Sequence, residues 1–183
     1  MKNNYLKNIE EYKQVVEEIN WEDVELFKQL ILDANRIILI GVGREGLMTK
    51  AFTMRLMHLG LDVHWIWDET TPSIRKGDLL IATSGCGEIG HIHYVVEKAK
   101  ESEAKVALVT GDPYKKTAKI VDFILFNPAA VYLGDAKVVD SYQPMGNLFE
   151  QTLLILFDII IIDLQEALDL TPSELEAQHR NLE

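Results

Sequence analysis

From Arg36 onward the chain alternates short apolar runs with helix-length amphipathic stretches, and this alternation narrows the possible folds more than any other feature. Candidate strands are 36–41, 62–66, 78–83, 104–109 and 121–126, with candidate helices over 46–59, 89–101 and 114–119. Ile37-Ile38-Leu39-Ile40 is apolar at every position, which suits a strand covered on both faces. Strands joined by helical crossovers pair in parallel, so the pattern predicts an α/β fold with a five-stranded parallel sheet between two helical layers. Residues 4–34 carry two helical periodicities, with Asn20 placed to cap the second, Trp21 to Leu32. After the last strand come a long loop, Asn127 to Gln143, and a long helix of about Met145 to Leu168. A tail helix follows, announced by the capping box Thr171-Pro172-Ser173-Glu174. The chain reads as one domain, 1–183, in which 1–35 is a helical extension.

Two glycine-rich segments fall at the carboxyl ends of the first and third candidate strands, where ligands of such sheets bind. They are Gly41-Val42-Gly43-Arg44-Glu45-Gly46 and Ser84-Gly85-Cys86-Gly87-Glu88. Backbone N–H groups between a strand and a helix can hold an anion, so a small anionic ligand such as a sugar phosphate is expected. Gly43, Arg44, Glu45, Ser84, Gly85, Cys86, Gly87 and Glu88 are the candidate binding residues. The first segment also matches the Gly-x-Gly-x-x-Gly dinucleotide pattern, with Asp68 as the acidic residue for a ribose. That alternative leaves the second loop and the long helix unexplained.

Bulk properties exclude some partners. The net charge of −11 argues against a nucleic-acid partner. The greasiest run, Leu153 to Ile162, is interrupted by Asp158 and too short for a membrane span; it suits a helix buried in the core or a subunit interface. Cys86 is the single cysteine, and Met1-Lys2-Asn3-Asn4 runs on into polar sequence, so a cytoplasmic setting is expected. His91 and His93 are two apart on a helix and face different ways, which disfavours a shared metal.

Further segments join the loops in resembling the sugar isomerase (SIS) domain, most closely the 6-phospho-3-hexuloisomerases. They are Ala51-Phe52-Thr53-Met54-Arg55-Leu56-Met57-His58-Leu59-Gly60, the stretch from Thr71-Pro72-Ser73 to Leu80-Ile81, Pro144-Met145-Gly146-Asn147-Leu148-Phe149-Glu150, and His179-Arg180-Asn181-Leu182-Glu183. The resemblance implies a flavodoxin-like αβα sandwich and isomerisation of a 3-hexulose 6-phosphate to fructose 6-phosphate through a cis-enediol, with neither metal nor organic cofactor. It also implies a homodimer or homotetramer with sites near subunit boundaries. Glu150 falls at the position of the catalytic base, His179 at that of a histidine assisting the oxygen protons, and His58 at a pocket-facing position.

The loops depart from that resemblance in their side chains. Relatives of this kind usually read Gly-x-Gly-Arg-Ser-Gly and Ser-Gly-Ser-Gly-Glu-Thr, so Glu45, Cys86 and Ile89 replace three hydroxyl donors and only Ser84 remains. Glu45 would repel a phosphate and is placed to cap the helix that follows it. Three readings stay open: a hexuloisomerase that grips phosphate through backbone N–H groups, Ser84 and Arg44; the same scaffold with another ligand; or a sugar-phosphate-binding module without turnover.

Overall fold

The computed structural model describes residues 1–182; Glu183, the last residue of the C-terminal motif, lies outside the described residues. Two helices, α1 (Lys2–Glu18) and α2 (Trp21–Asp33), precede β1 (Ile37–Ile40). Then follow α3 (Gly43–His58), β2 (Val63–Trp65), β3 (Leu79–Thr83), α4 (Gly90–Glu101) and β4 (Lys105–Thr110). A single 3-10 turn, Thr117–Lys119, leads to β5 (Phe123–Phe126), and α5 (Asn147–Ala167) and α6 (Pro172–Gln178) complete the chain. The strands form one parallel sheet in the order β2-β1-β3-β4-β5. This is the flavodoxin-like order, and it differs from the six-strand order of dinucleotide-binding folds.

Alternate residues of each strand feed two separate cores. Ile37 and Leu39 of β1 join Phe27, Phe52, Leu56, Leu153 and Phe157 on one face. Ile38 and Ile40 meet Ile92, Val96 and Ala99 of α4 on the other. Thus α1, α2, α3 and α5 cover one face and α4 the opposite one, the three-layer arrangement expected from the apolar strands. Phe52 of α3 and Phe157 of α5 stack with ring centroids 4.1 Å apart, locking the two site-bearing helices together. The N-terminal helices belong to this core, since Val15, Val24, Phe27 and Ile31 are buried in it. Asn20 caps α2 by accepting from Glu22 N–H at 3.1 Å, as expected.

The helix after the first loop begins earlier than its sequence suggests: α3 starts at Gly43, so the glycines lie within or against its first turn. Gly41 and Gly46 allow a close approach. A Cβ on Gly46 would stand 2.7 Å from Gly41 O, and one on Gly41 would stand 2.4 Å from Thr83 Oγ1. Here the glycines bring the start of α3 against the ends of β1 and β3. The Thr49 and Thr83 hydroxyls, 2.7 Å apart and buried, bond across the same junction. Trp65 is the last residue of β2; Trp67 lies past the strand, exposed against the His91 ring. No helix among the described residues is long and apolar enough to cross a membrane.

Candidate active site

The strand order reverses between β1 and β3, and a ligand crevice forms at such a switch point, outside the carboxyl ends of the strands. The two glycine loops follow those two strands, so they lie on either side of the place where such a crevice is expected. From β5 the long loop passes over the same end. Val131 of that loop and Phe149 of α5 lie against both Gly85 and Gly111.

Glu45 does not cap α3. Val42 is the N-cap residue and supplies no side-chain bond. The Glu45 carboxylate instead crosses to the second loop, where Oε2 accepts from Gly85 N–H at 3.0 Å. A Cβ on Gly85 would stand 2.7 Å from Glu45 Oε1, so the carboxylate lies flat on that loop's backbone. Burial pushes the Glu45 carboxyl up to about 7; the Gly85 amide opposes the shift, and the Glu150 carboxylate adds to it.

Glu150 lies in the first turn of α5, where the helix end favours negative charge. Its Oε2 pairs with Arg44 Nη1 at 2.5 Å, and the same Arg44 nitrogen donates to Asn147 Oδ1. Arg44 therefore turns toward α5, while Glu45 next to it turns toward the second loop. The segment leading into α5 has Met145 and Gly146 at positive φ, a sharp entry that sets where Glu150 falls. Asn147, which had no assigned role in the sequence, joins the Arg44–Glu150 group. The signal was its spacing, three residues before Glu150 and so on the same helix face.

The second loop is tied down by its own backbone. Gly85 O accepts from Gly111 N–H at 3.0 Å and from the Thr110 hydroxyl at 3.1 Å. Gly87, at φ +66, donates to Ser84 O and accepts from Thr117 N–H. Ser84 is fully buried, and its hydroxyl has no partner among the described residues. Cys86 is partly buried, whereas Glu88 and Gly43 are exposed.

His58 and His179 come together, but elsewhere. Their rings lie 5.3 Å apart at the carboxyl end of α3, where α6 folds back on it. They line an open cavity of about 530 Å³ with Arg55, Glu176 and Arg180. Burial, the Arg55 charge and His179 hold the His58 imidazole below its ordinary range. Glu45 and His58 are thirteen residues apart on one helix, which separates them by about 20 Å at 1.5 Å per residue. One chain thus carries the carboxylate–arginine group and the histidine pair at opposite ends of α3. Asp68 lies in the turn past the end of β2, where its N–H donates to Trp65 O, and is exposed. No group of three or more metal-ligating side chains forms among the described residues.

Comparison with known proteins bears on the chain's family and fold. No family model matches the chain. The 3-hexulose-6-phosphate isomerase of Bacillus subtilis is 37% identical over 165 residues, covering 90% of this chain and 89% of the relative. That of Mycobacterium gastri is 33% identical over 174 residues, 95% of this chain and 87% of the relative. A crystal structure from Methanococcus jannaschii, described as inferring a function of 3-hexulose-6-phosphate isomerase, superposes with a TM-score of 0.83 at 31% identity. The superposition covers 97% of this chain and 96% of that one. Near-full-length identity above 30% and a common fold lead to one assignment: the chain belongs to the 3-hexulose-6-phosphate isomerase family of SIS-fold proteins.

Proposed function

We propose that the protein isomerises a 3-hexulose 6-phosphate to fructose 6-phosphate at the crevice between the two glycine loops. The observation that carries the reading is Glu150, held by Arg44 at the mouth of that crevice. The reaction moves one proton between adjacent carbons. A base takes the proton from C2 while the C3 oxygen gains one, giving a cis-enediol; the O2 proton then leaves and the carbon proton returns to C3. Glu150 is the group assigned to the carbon proton, because of the two carboxylates there it is the one paired with an arginine, and it projects from the first turn of a long helix. Arg44 orients that carboxylate, and its positive charge stabilises negative charge developing on the substrate oxygens. Loop backbone N–H groups and Ser84 are assigned to the phosphate.

The histidines fit this reading as groups contributed across a subunit boundary. With His58 and His179 about 20 Å from the carboxylates of their own chain, they are assigned to the crevice of a neighbouring copy, where they handle the oxygen protons. A homodimer or homotetramer supplies that arrangement. A cytoplasmic setting suits a phosphorylated sugar and a lone cysteine. The test is direct: purified protein interconverts fructose 6-phosphate and its 3-keto isomer, and Glu150→Gln lowers kcat by roughly a hundredfold or more. Absence of conversion at high protein concentration defeats the assignment.

A further inference from the structure

The sequence expectation of an open phosphate cradle meets an occupant in the structure: the protein's own carboxylate already sits on the second loop. Gly85 N–H donates to Glu45 Oε2 at 3.0 Å, and Oε1 packs against the same residue. Beside that amide in sequence, the Ser84 hydroxyl is fully buried with no partner among the described residues, an unused donor next to a used one. Arg44 does not neutralise Glu45, since its guanidinium is committed to Glu150 and Asn147. We propose that Glu45 is a specificity-determining residue that holds, in the free protein, the backbone donor a substrate's phosphate takes, so that a phosphosugar enters by displacing this carboxyl in its protonated form. The proposal rests on the reading of the crevice as a phosphosugar site.

The physical case comes from the groups around Glu45. From α5 the Glu150 carboxylate faces it; from its own helix comes Arg44, turned away onto Glu150; from the second loop comes only the Gly85 amide; and from the long loop and α5 come the apolar Val131 and Phe149 around Gly85. No cation in this set is directed at Glu45. An incoming phosphate dianion would add charge to a place that already holds two carboxylates and a single arginine. Two like charges about 4 Å apart repel strongly enough in such surroundings to favour a proton on one of them. The carboxyl titrates near pH 7, so the proton is readily available in neutral solution. Once neutral, Glu45 can leave the amide at low electrostatic cost or remain as a hydroxyl donor to a phosphate oxygen.

The experiment is calorimetric titration with fructose 6-phosphate from pH 6 to 8.5, in buffers of different ionisation enthalpy, on the wild type, Glu45→Gln and Glu45→Ser. Glu45→Gln preserves an acceptor for Gly85 N–H and so keeps the loop in place. For the wild type, affinity should fall roughly tenfold between pH 7 and 8.5, with uptake of close to one proton per ligand at pH 8. Both variants should show a flat profile above pH 7 without that uptake, and at pH 8.5 Glu45→Ser should bind at least about tenfold more tightly than the wild type. Wild type and Glu45→Gln sharing one pH profile would overturn the proposal while leaving the isomerase reading intact. Weaker binding by Glu45→Ser would overturn it too, by making Glu45 an attractive contact. If none of the three binds fructose 6-phosphate anywhere in the range, the phosphosugar reading and the proposal fall together.

Discussion

A half-buried carboxyl that keeps its proton to neutral pH must leave its mark on folding. In the unfolded chain Glu45 titrates near 4.5; in the folded protein burial and Glu150 raise it to about 7. Between these values the native state binds the extra proton, so stability falls as pH rises through the window. The interval is worth about 3 kcal/mol in full at 1.36 kcal/mol per pKa unit, of which roughly 2 to 3 kcal/mol lies between pH 5 and 8. Glu45→Gln cannot titrate and still accepts from Gly85. The wild type should therefore lose up to about 2 to 3 kcal/mol relative to Glu45→Gln between pH 5 and 8, seen as a melting difference growing toward about 5–10 °C. His58 works in the opposite sense: its depressed imidazole favours folding at higher pH and costs stability as pH falls. Because both proteins carry His58, the difference between their curves removes it. Thermal and urea unfolding at matched protomer concentration, without ligand, across five pH values is the assay. Curves that run parallel from pH 5 to 8 would refute the claim that Glu45 is held neutral by its surroundings.

Two further outcomes follow from the same geometry. Mixing Glu150→Gln protomers with His179→Ala protomers, each inactive alone, should restore part of the fructose 6-phosphate isomerisation after subunit exchange; persistent inactivity of a demonstrably mixed oligomer would return the histidines to some other role. Glu11 of α1 accepts from the Ser141 hydroxyl at 2.7 Å, Gln143 Nε2 at 2.9 Å and Tyr142 N–H at 3.2 Å, tying down the segment that enters α5, and these bonds hold its carboxyl below the usual range. Glu11→Ala should cost about 1–3 kcal/mol in urea unfolding and lower kcat severalfold through misplacement of Glu150; unchanged kcat would show that α5 sets its own entry.

The fold was legible because its signals are local. Ile37-Ile38-Leu39-Ile40 and Leu79 to Thr83 announce doubly covered strands, Asn20 and Thr171 announce helix starts, and each lies within a residue or two of its expected place. The loops were legible for the same reason. What sequence could not supply was direction across space. Glu45 lies in the first turn of α3, where dipole and spacing favour a cap, yet its carboxylate finds a better donor forty residues away because β1 and β3 are neighbours. Arg44 and Asn147 meet only once the long loop has turned α5 back toward the sheet. The distance between Glu150 and His179 was likewise invisible, since a motif match says which residues matter and nothing about which end of a helix they occupy.

Arg44 and Glu45 are consecutive on α3, and consecutive side chains on a helix diverge by about 100°. One pairs with Glu150 on α5 and the other bonds to the loop after β3. A change at position 45 can therefore alter how the crevice greets an anion while the arginine grip on Glu150 stays as it is. On the proposed assignments, ligand preference and proton chemistry are coded by adjacent letters of the chain but wired to different walls of the crevice. Substrate range on this scaffold can then drift one residue at a time without dismantling the machinery that moves the proton.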